Sequence, residues 1–142
     1  MPLVLDPENN MFHWNRGEIV PLSEHFSTQE FTCQCGKCEA QTISAVLVER
    51  LEALRNDVML PLLIRSGYRC RAHQLALAES GLPTAKGTST HELGEAADIA
   101  VKGMAGHRVA SRAAVYFNAI GTAKTWIHVD LRSNKIRRWS YP

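Results

Sequence analysis

The sequence has no apolar run approaching the roughly 18 residues that a membrane span requires. Its first ten residues, Met1 to Asn10, carry neither a basic stretch nor an apolar core, so they do not read as an export signal and the chain is expected to be made in the cytoplasm. Charge of one sign is also lacking. Sixteen Lys and Arg stand against 14 Asp and Glu, a formal net charge of +2, too small to argue for a nucleic-acid binder. The one short basic run, Lys135, Arg137 and Arg138, is expected on a solvated strand face. No internal repeat or low-complexity stretch interrupts the chain. Its 142 residues suffice for one domain that buries roughly two thirds of its unfolded surface, expected to be a monomer.

Cysteine is scarce but clustered: of four, three stand in C-Q-C-G-K-C (Cys33, Cys35, Cys38) and the fourth is Cys70. Without an export signal these default to thiols or metal ligands rather than disulfides. The C-x-C opening departs from the usual zinc spacing. Structural thiols or a structural crosslink come first, a small four-cysteine metal site closed by Cys70 next, and redox chemistry last.

Residues 1–21 show little periodicity and are expected as an extended lead-in that packs Phe12 and Trp14 on a body formed by residues 22–142. Ser27 with Glu30 three positions on has capping-box spacing, which predicts a short helical turn anchored by Phe26 and Phe31, with His25 at the surface. From Thr42 to Val58, apolar residues Ile43, Val46, Leu47, Leu51, Leu54 and Val58 recur at helical spacing. Pro61 stops that helix, and Leu62-Leu63-Ile64 reads as a buried strand ending at Ser66-Gly67. Ala72 to Ser80 looks helical, closed by Gly81 and Pro83, and a loop from Leu82 to Ser89 follows. Ala96–Val101 is a strand. Val109, Ala113, Tyr116 and Phe117 mark another helix ending near Gly121, with His107 exposed at its start. Trp126–Leu131 is a strand, with a turn at Ser133-Asn134 and Ile136–Trp139 as its hairpin partner. The expected fold is α+β: a small, largely antiparallel sheet of about four strands with two to three helices.

Chemistry concentrates in Ser89–Ile99, S-T-H-E-L-G-E-A-A-D-I. His91 and Asp98 are types that zinc binds readily, in a loop that runs into a strand, and Gly94, Ala96 and Ala97 leave room for close backbone approach. On the later strand, Trp126, His128 and Asp130 point to one face, which supplies a third ligand with an acid beside it. Arg69, at a strand end, is placed to grip a carboxylate or carbonyl.

Three ordered motifs, S-G-Y-R at Ser66–Arg69, S-T-H-E-L-G-E-A-A-D-I, and W-I-H-V-D-L-R at Trp126–Arg132, resemble the zinc D-alanyl-D-alanine carboxypeptidase and murein endopeptidase family. That family belongs to the LAS superfamily and is related in fold to the hedgehog N-terminal domain. The resemblance covers about Leu22 to Trp139. It implies one Zn²⁺ on His91, Asp98 and His128, a substrate-holding Arg69 that steadies the tetrahedral intermediate, and a substrate-side Ser89; Trp126 joins them on the cleft wall. Family members often carry an acid or histidine two or three residues before the third ligand, where this chain has Thr125 and Trp126. Asp130 is then either the general base or the partner that orients His128, with Glu92 and Glu95 in reserve. The implied substrate is peptidoglycan or its stem peptides, in a phage or prophage lysin or a cytoplasmic dipeptidase. The competing expectation is a zinc-containing wall-binding or virion-assembly domain without hydrolysis.

Overall fold

A computed structural model describes residues 3–82, 84, 88–132 and 134–142. The N-terminal segment folds as a hairpin of β1 (Val4–Asp6) and β2 (Met11–Asn15). The Asp6 carboxylate accepts hydrogen bonds from the Glu8 backbone N–H at 3.0 Å and from Asn9 Nδ2 at 2.8 Å, which holds the reversal between them. Trp14 is buried, and Phe12 packs against the core from the edge. The segment thus packs Phe12 and Trp14 on the body as expected, and does so as a paired hairpin.

After α1 (Thr28–Phe31), where Ser27 N–H donates to Glu30 Oε1 at 3.1 Å, the chain forms β3 (Ala40–Ser44), antiparallel to β2 with Phe12 opposite Ile43. The helix predicted from Thr42 thus starts later, as α2 (Ala45–Val58). Ser44 decides the switch: it ends the strand, and its Oγ accepts the Leu47 N–H at 3.2 Å as the helix N-cap. Leu47, Val48, Leu51, Leu54 and Val58 are buried, and Met59 in the left-handed region closes the helix. Full burial of each large aliphatic side chain stabilises the fold by about 1.5–3 kcal/mol relative to exposure.

The second sheet is built from β4 (Leu62–Ser66), β5 (Ala96–Val101), β6 (Ala119–Thr122), β7 (Ile127–Asp130) and β8 (Arg137–Ser140), in the order β4-β5-β7-β6-β8. Neighbours are antiparallel except β6 and β8. Two expectations need correction here. The helix carrying Val109 is α4 (Gly106–Ala113) and stops before Tyr116 and Phe117, because Phe117 is sunk in the core and Tyr116 Oη donates to Asp57 at 2.8 Å; the chain then enters β6. The last strand is no hairpin partner of β7, whose two edges are taken by β5 and β6, so it pairs with the free edge of β6 in parallel. α3 (Arg71–Glu79) forms as expected; Pro83 and much of the 82–89 loop, and Ser133 in the final turn, lie outside the described residues.

Alternation along the strands separates the sheet's two faces. Ala97, Ile99 and Val101 of β5, Ile120 of β6, and Ile127 and Val129 of β7 join residues of α2 and α4 in one hydrophobic cluster. The opposite face presents Ser66, Asp98 and His128. Among the described residues no helix is long and apolar enough to cross a membrane.

Candidate metal centre

One rung crosses the five-stranded sheet from edge to edge. Ser66 pairs with Asp98, Asp98 with His128, His128 with Gly121, and Gly121 with Trp139. A register shift between Ile64 and Ser66 brings Ser66 level with Asp98. Directly opposed residues share a face, so the Asp98 carboxylate and the His128 imidazole meet: Nδ1 lies 3.0 Å from Asp98 Oδ1. Gly121 is a glycine for want of space, since a Cβ there would stand 2.4 Å from Nε1 of the Trp139 indole. That indole crosses the rung, its ring centroid 5.6 Å from that of His128.

His91 arrives from a turn rather than a strand. Ser89 Oγ accepts the His91 backbone N–H at 3.2 Å and Glu92 Oε2 accepts the Ser89 N–H at 3.2 Å. Gly94 closes the turn at φ +70°, where a Cβ would lie 2.9 Å from the Thr42 carbonyl oxygen and 3.0 Å from Met11 Cε. Its smallness therefore seats the turn against the N-terminal sheet. The Gly67 carbonyl lies 2.8 Å from His91 Nδ1; a carbonyl only accepts, so that nitrogen carries the proton and Nε2 is left with a lone pair. Nε2 faces Asp98 Oδ1 at 3.3 Å.

These contacts leave the two rings short of protons to donate. All four ring nitrogens of His91 and His128 face acceptors: the Gly67 carbonyl, Asp98 twice, and Asp130 Oδ2 at 2.6 Å from His128 Nε2. With both imidazoles neutral, two protons would serve four such positions, and the two inward nitrogens and the carboxylate oxygen between them would converge as lone pairs. A tetrahedral zinc with bonds near 2.0–2.1 Å has ligand atoms about 3.3 Å apart, and the inward spacings of 3.0 and 3.3 Å match it. Burial pushes the His91 imidazole below its ordinary value, which favours its neutral form. Burial pushes Asp98 up, yet hydrogen bonds from His128 and His91 outweigh it and hold the carboxyl well below the usual carboxylate range. His128 goes the other way from His91: burial lowers it, but Asp130 and Asp98 together raise it.

Around this centre the other expected residues separate. The Arg69 guanidinium is fixed on three sides, to Ser66 Oγ at 3.0 Å, Gln74 Oε1 at 3.2 Å and Asp98 Oδ2 at 2.9 Å, and still lines the cleft. Ser89 and Trp126 line it too, with Trp126 stacked on Tyr141 at 5.0 Å between centroids. Asp130 does not. Its side chain is fully covered, engaged by His128, by Arg132 at 2.7 Å and by Thr90 Oγ1 at 3.3 Å, and burial is outweighed by these partners so that its carboxyl is lowered. Glu92 is tied to Arg71 at 2.9 Å, and neither Glu92 nor Glu95 lines the cleft. Cys33, Cys35, Cys38 and Cys70 come together elsewhere, with no disulfide among them.

The cleft itself holds about 910 Å³. Residues that sequence reasoning missed complete it: Arg65, His73, Arg132, Trp139 and Tyr141. Their only signals were nearness in sequence to the motifs, and for Trp139 and Tyr141 a terminal strand whose partner was misassigned. Neither a curated protein nor a solved structure matches the chain. Residues 24–130, which contain the converging His91, Asp98 and His128, match the family model described as Peptidase M15, and the chain belongs to that family of metallopeptidases.

Proposed function

We propose that this cleft hydrolyses peptide bonds in the stem peptides of bacterial peptidoglycan. The observation that carries the reading is the pairing of a buried three-ligand centre with a cleft lined by three arginines, Arg65, Arg69 and Arg132, and by one carboxylate among the described residues, Asp98. Such a cleft attracts a carboxylate-bearing peptide and orients it by charge-assisted hydrogen bonds. A zinc ion held by His91, Asp98 and His128 would supply Lewis acidity, drawing charge from a carbonyl oxygen and lowering the pKa of a water.

The chain's own residues do the rest. Arg69, locked by Ser66 and Gln74, offers its guanidinium to the carbonyl oxygen as negative charge develops there. Trp126 and Tyr141 form an apolar wall for the peptide, and Ser89 stands beside the His91 turn as a polar contact. Asp130, sealed behind His128, orients that ring rather than meeting substrate. Proton transfer then falls to His73 on α3, a cleft-lining imidazole kept neutral by burial and by the Arg69 charge. It takes a proton from the attacking water and returns it to the leaving amine.

Mass spectrometry of muropeptides incubated with the zinc-loaded protein tests this reading. We expect a new amine and a new carboxyl terminus, and His73→Ala should lose about 10²–10⁴-fold in turnover with zinc content unchanged. The shortage of carboxylates in the cleft favours one second reading, a domain that binds wall peptides without cleaving them. Tight binding of a stem peptide by zinc-loaded protein that never cleaves it would establish that reading in place of hydrolysis.

A further inference from the structure

The four cysteines lie in two separate segments. Cys33, Cys35 and Cys38 belong to the loop between α1 and β3, and Cys70 is the residue that starts α3. Their sulfur atoms nevertheless all lie within 4.8 Å of one another, with Cys35 Sγ and Cys70 Sγ 3.8 Å apart. A disulfide needs about 2.05 Å, whereas four thiolates on one tetrahedral zinc with bonds near 2.3 Å stand about 3.8 Å from each other. Pairing into two crosslinks would draw the sulfurs into couples; here they surround one point.

A second and independent observation is the shell of donors aimed at the sulfurs. The backbone N–H groups of Lys37 and Cys38 both point at Cys35 Sγ at 3.3 Å, and that of Cys70 at Cys33 Sγ at 3.3 Å. Gln41 Nε2 reaches Cys38 Sγ at 3.2 Å, and the Arg16 guanidinium reaches Cys38 Sγ at 3.4 Å and Cys35 Sγ at 3.7 Å. Arg16 is itself fixed by the Cys38 and Cys33 carbonyls, both at 2.7 Å. Neutral thiols accept hydrogen bonds weakly; donors in this number and a neighbouring cation suit sulfur that carries negative charge. A divalent cation bound among the four sulfurs replaces the thiol protons, which leave to solvent.

We infer that Cys33, Cys35, Cys38 and Cys70 bind a second, structural zinc ion, separate from the His91, Asp98 and His128 centre. Four soft thiolates select zinc over calcium or magnesium, and a closed four-sulfur set leaves no position for water or substrate. The ion ties the α1–β3 loop to the segment that serves the cleft: Cys70 follows Arg69 directly, Tyr68 N–H donates to the Phe31 carbonyl at 2.9 Å, and Arg69 N–H donates to the His91 carbonyl at 3.2 Å. Its role is to brace the strand end from which Arg69 and the Gly67 carbonyl address the cleft.

Elemental analysis of the full-length chain, together with the absorption spectrum of its cobalt-substituted form, tests the inference. Two zinc ions per chain and thiolate-to-cobalt charge-transfer bands in the near ultraviolet are expected. The His91→Ala, His128→Ala double variant should keep one ion and keep those bands, and Cys35→Ser with Cys38→Ser should lose one ion and all of the bands. A wild-type chain that holds a single zinc and shows no thiolate bands, or whose native mass lacks the thiol hydrogens and carries no metal at this cluster, overturns it. Both readings on the wild-type chain stand even where a variant fails to fold.

Discussion

His128 turns one ring nitrogen towards Asp98 and the other towards Asp130, at 3.0 and 2.6 Å. Both partners are carboxylates, and the shorter contact, to Asp130, favours the proton on Nε2, which would leave Nδ1 to a cation seated beside Asp98 and His91. Asp130→Asn removes that preference: an amide can donate as well as accept, and it leaves Arg132 without its ion-pair partner. Zinc affinity at the His/Asp centre is predicted to fall about 10–100-fold, read by competition with a chelating indicator; unchanged affinity would refute the orienting role. His91, Asp98 and His128 were legible in the sequence because ligand chemistry restricts residue type and the motifs keep their order. The position of Asp130 was legible only by half. Strand alternation puts it on the face of His128, but that it lies covered behind the ring follows from Arg132 and Thr90, which only the folded chain brings to it. His73 carried no motif at all and became visible when α3 was set beside the cleft.

At the scale of elements, two small features hold the frame. The turn that carries His91 depends on Gly94, at φ +70° and against the Thr42 carbonyl. Gly94→Ala is predicted to cost about 1–3 kcal/mol of stability, measured as a lowered denaturant midpoint; an equal midpoint would show that the turn tolerates a Cβ. α2 is tied to the segment before α1 through Glu52, which accepts from Ser23 Oγ at 2.7 Å and His25 N–H at 2.8 Å. Burial raises the Glu52 carboxyl, but the Ser23 hydroxyl, the His25 ring and the His25 N–H together win and lower it from 4.5. Its folded value is the depressed one, so its stabilisation is present above the unfolded value and lost as pH falls through the folded one. Glu52→Gln should therefore be less stable at neutral pH and lose stability less steeply below about pH 4.5, as chemical denaturation across that range would show; parallel curves would contradict it.

The elements that the sequence hid share a cause. β2 read only as part of an extended lead-in and the end of β3 as a helix start, because each is a strand only through the other: Ile43 falls on the helical period of α2 and on the pairing register with Phe12 alike. β6, four residues with a glycine inside, has no local signal that outweighs the helix before it. β8 was recognised as a strand, but its partner depends on β5 and β6 already occupying both edges of β7, a fact of the whole sheet rather than of any segment.

For the whole molecule, the α+β class and the largely antiparallel sheet were foreseeable, and what the three-dimensional arrangement adds is the single rung that carries Ser66, Asp98, His128, Gly121 and Trp139. One face of that sheet is core; the other gathers ligands, arginines and aromatic walls into one cleft. The central claim is that the cation belongs on this rung, held through Asp98 Oδ1, His128 Nδ1 and the inward Nε2 of His91. Anomalous diffraction at the zinc edge from crystals of the zinc-loaded protein tests it most directly. The account predicts a peak at about 2.0–2.2 Å from all three atoms; zinc seated away from Asp98, or bound through Nε2 of His128, would contradict it.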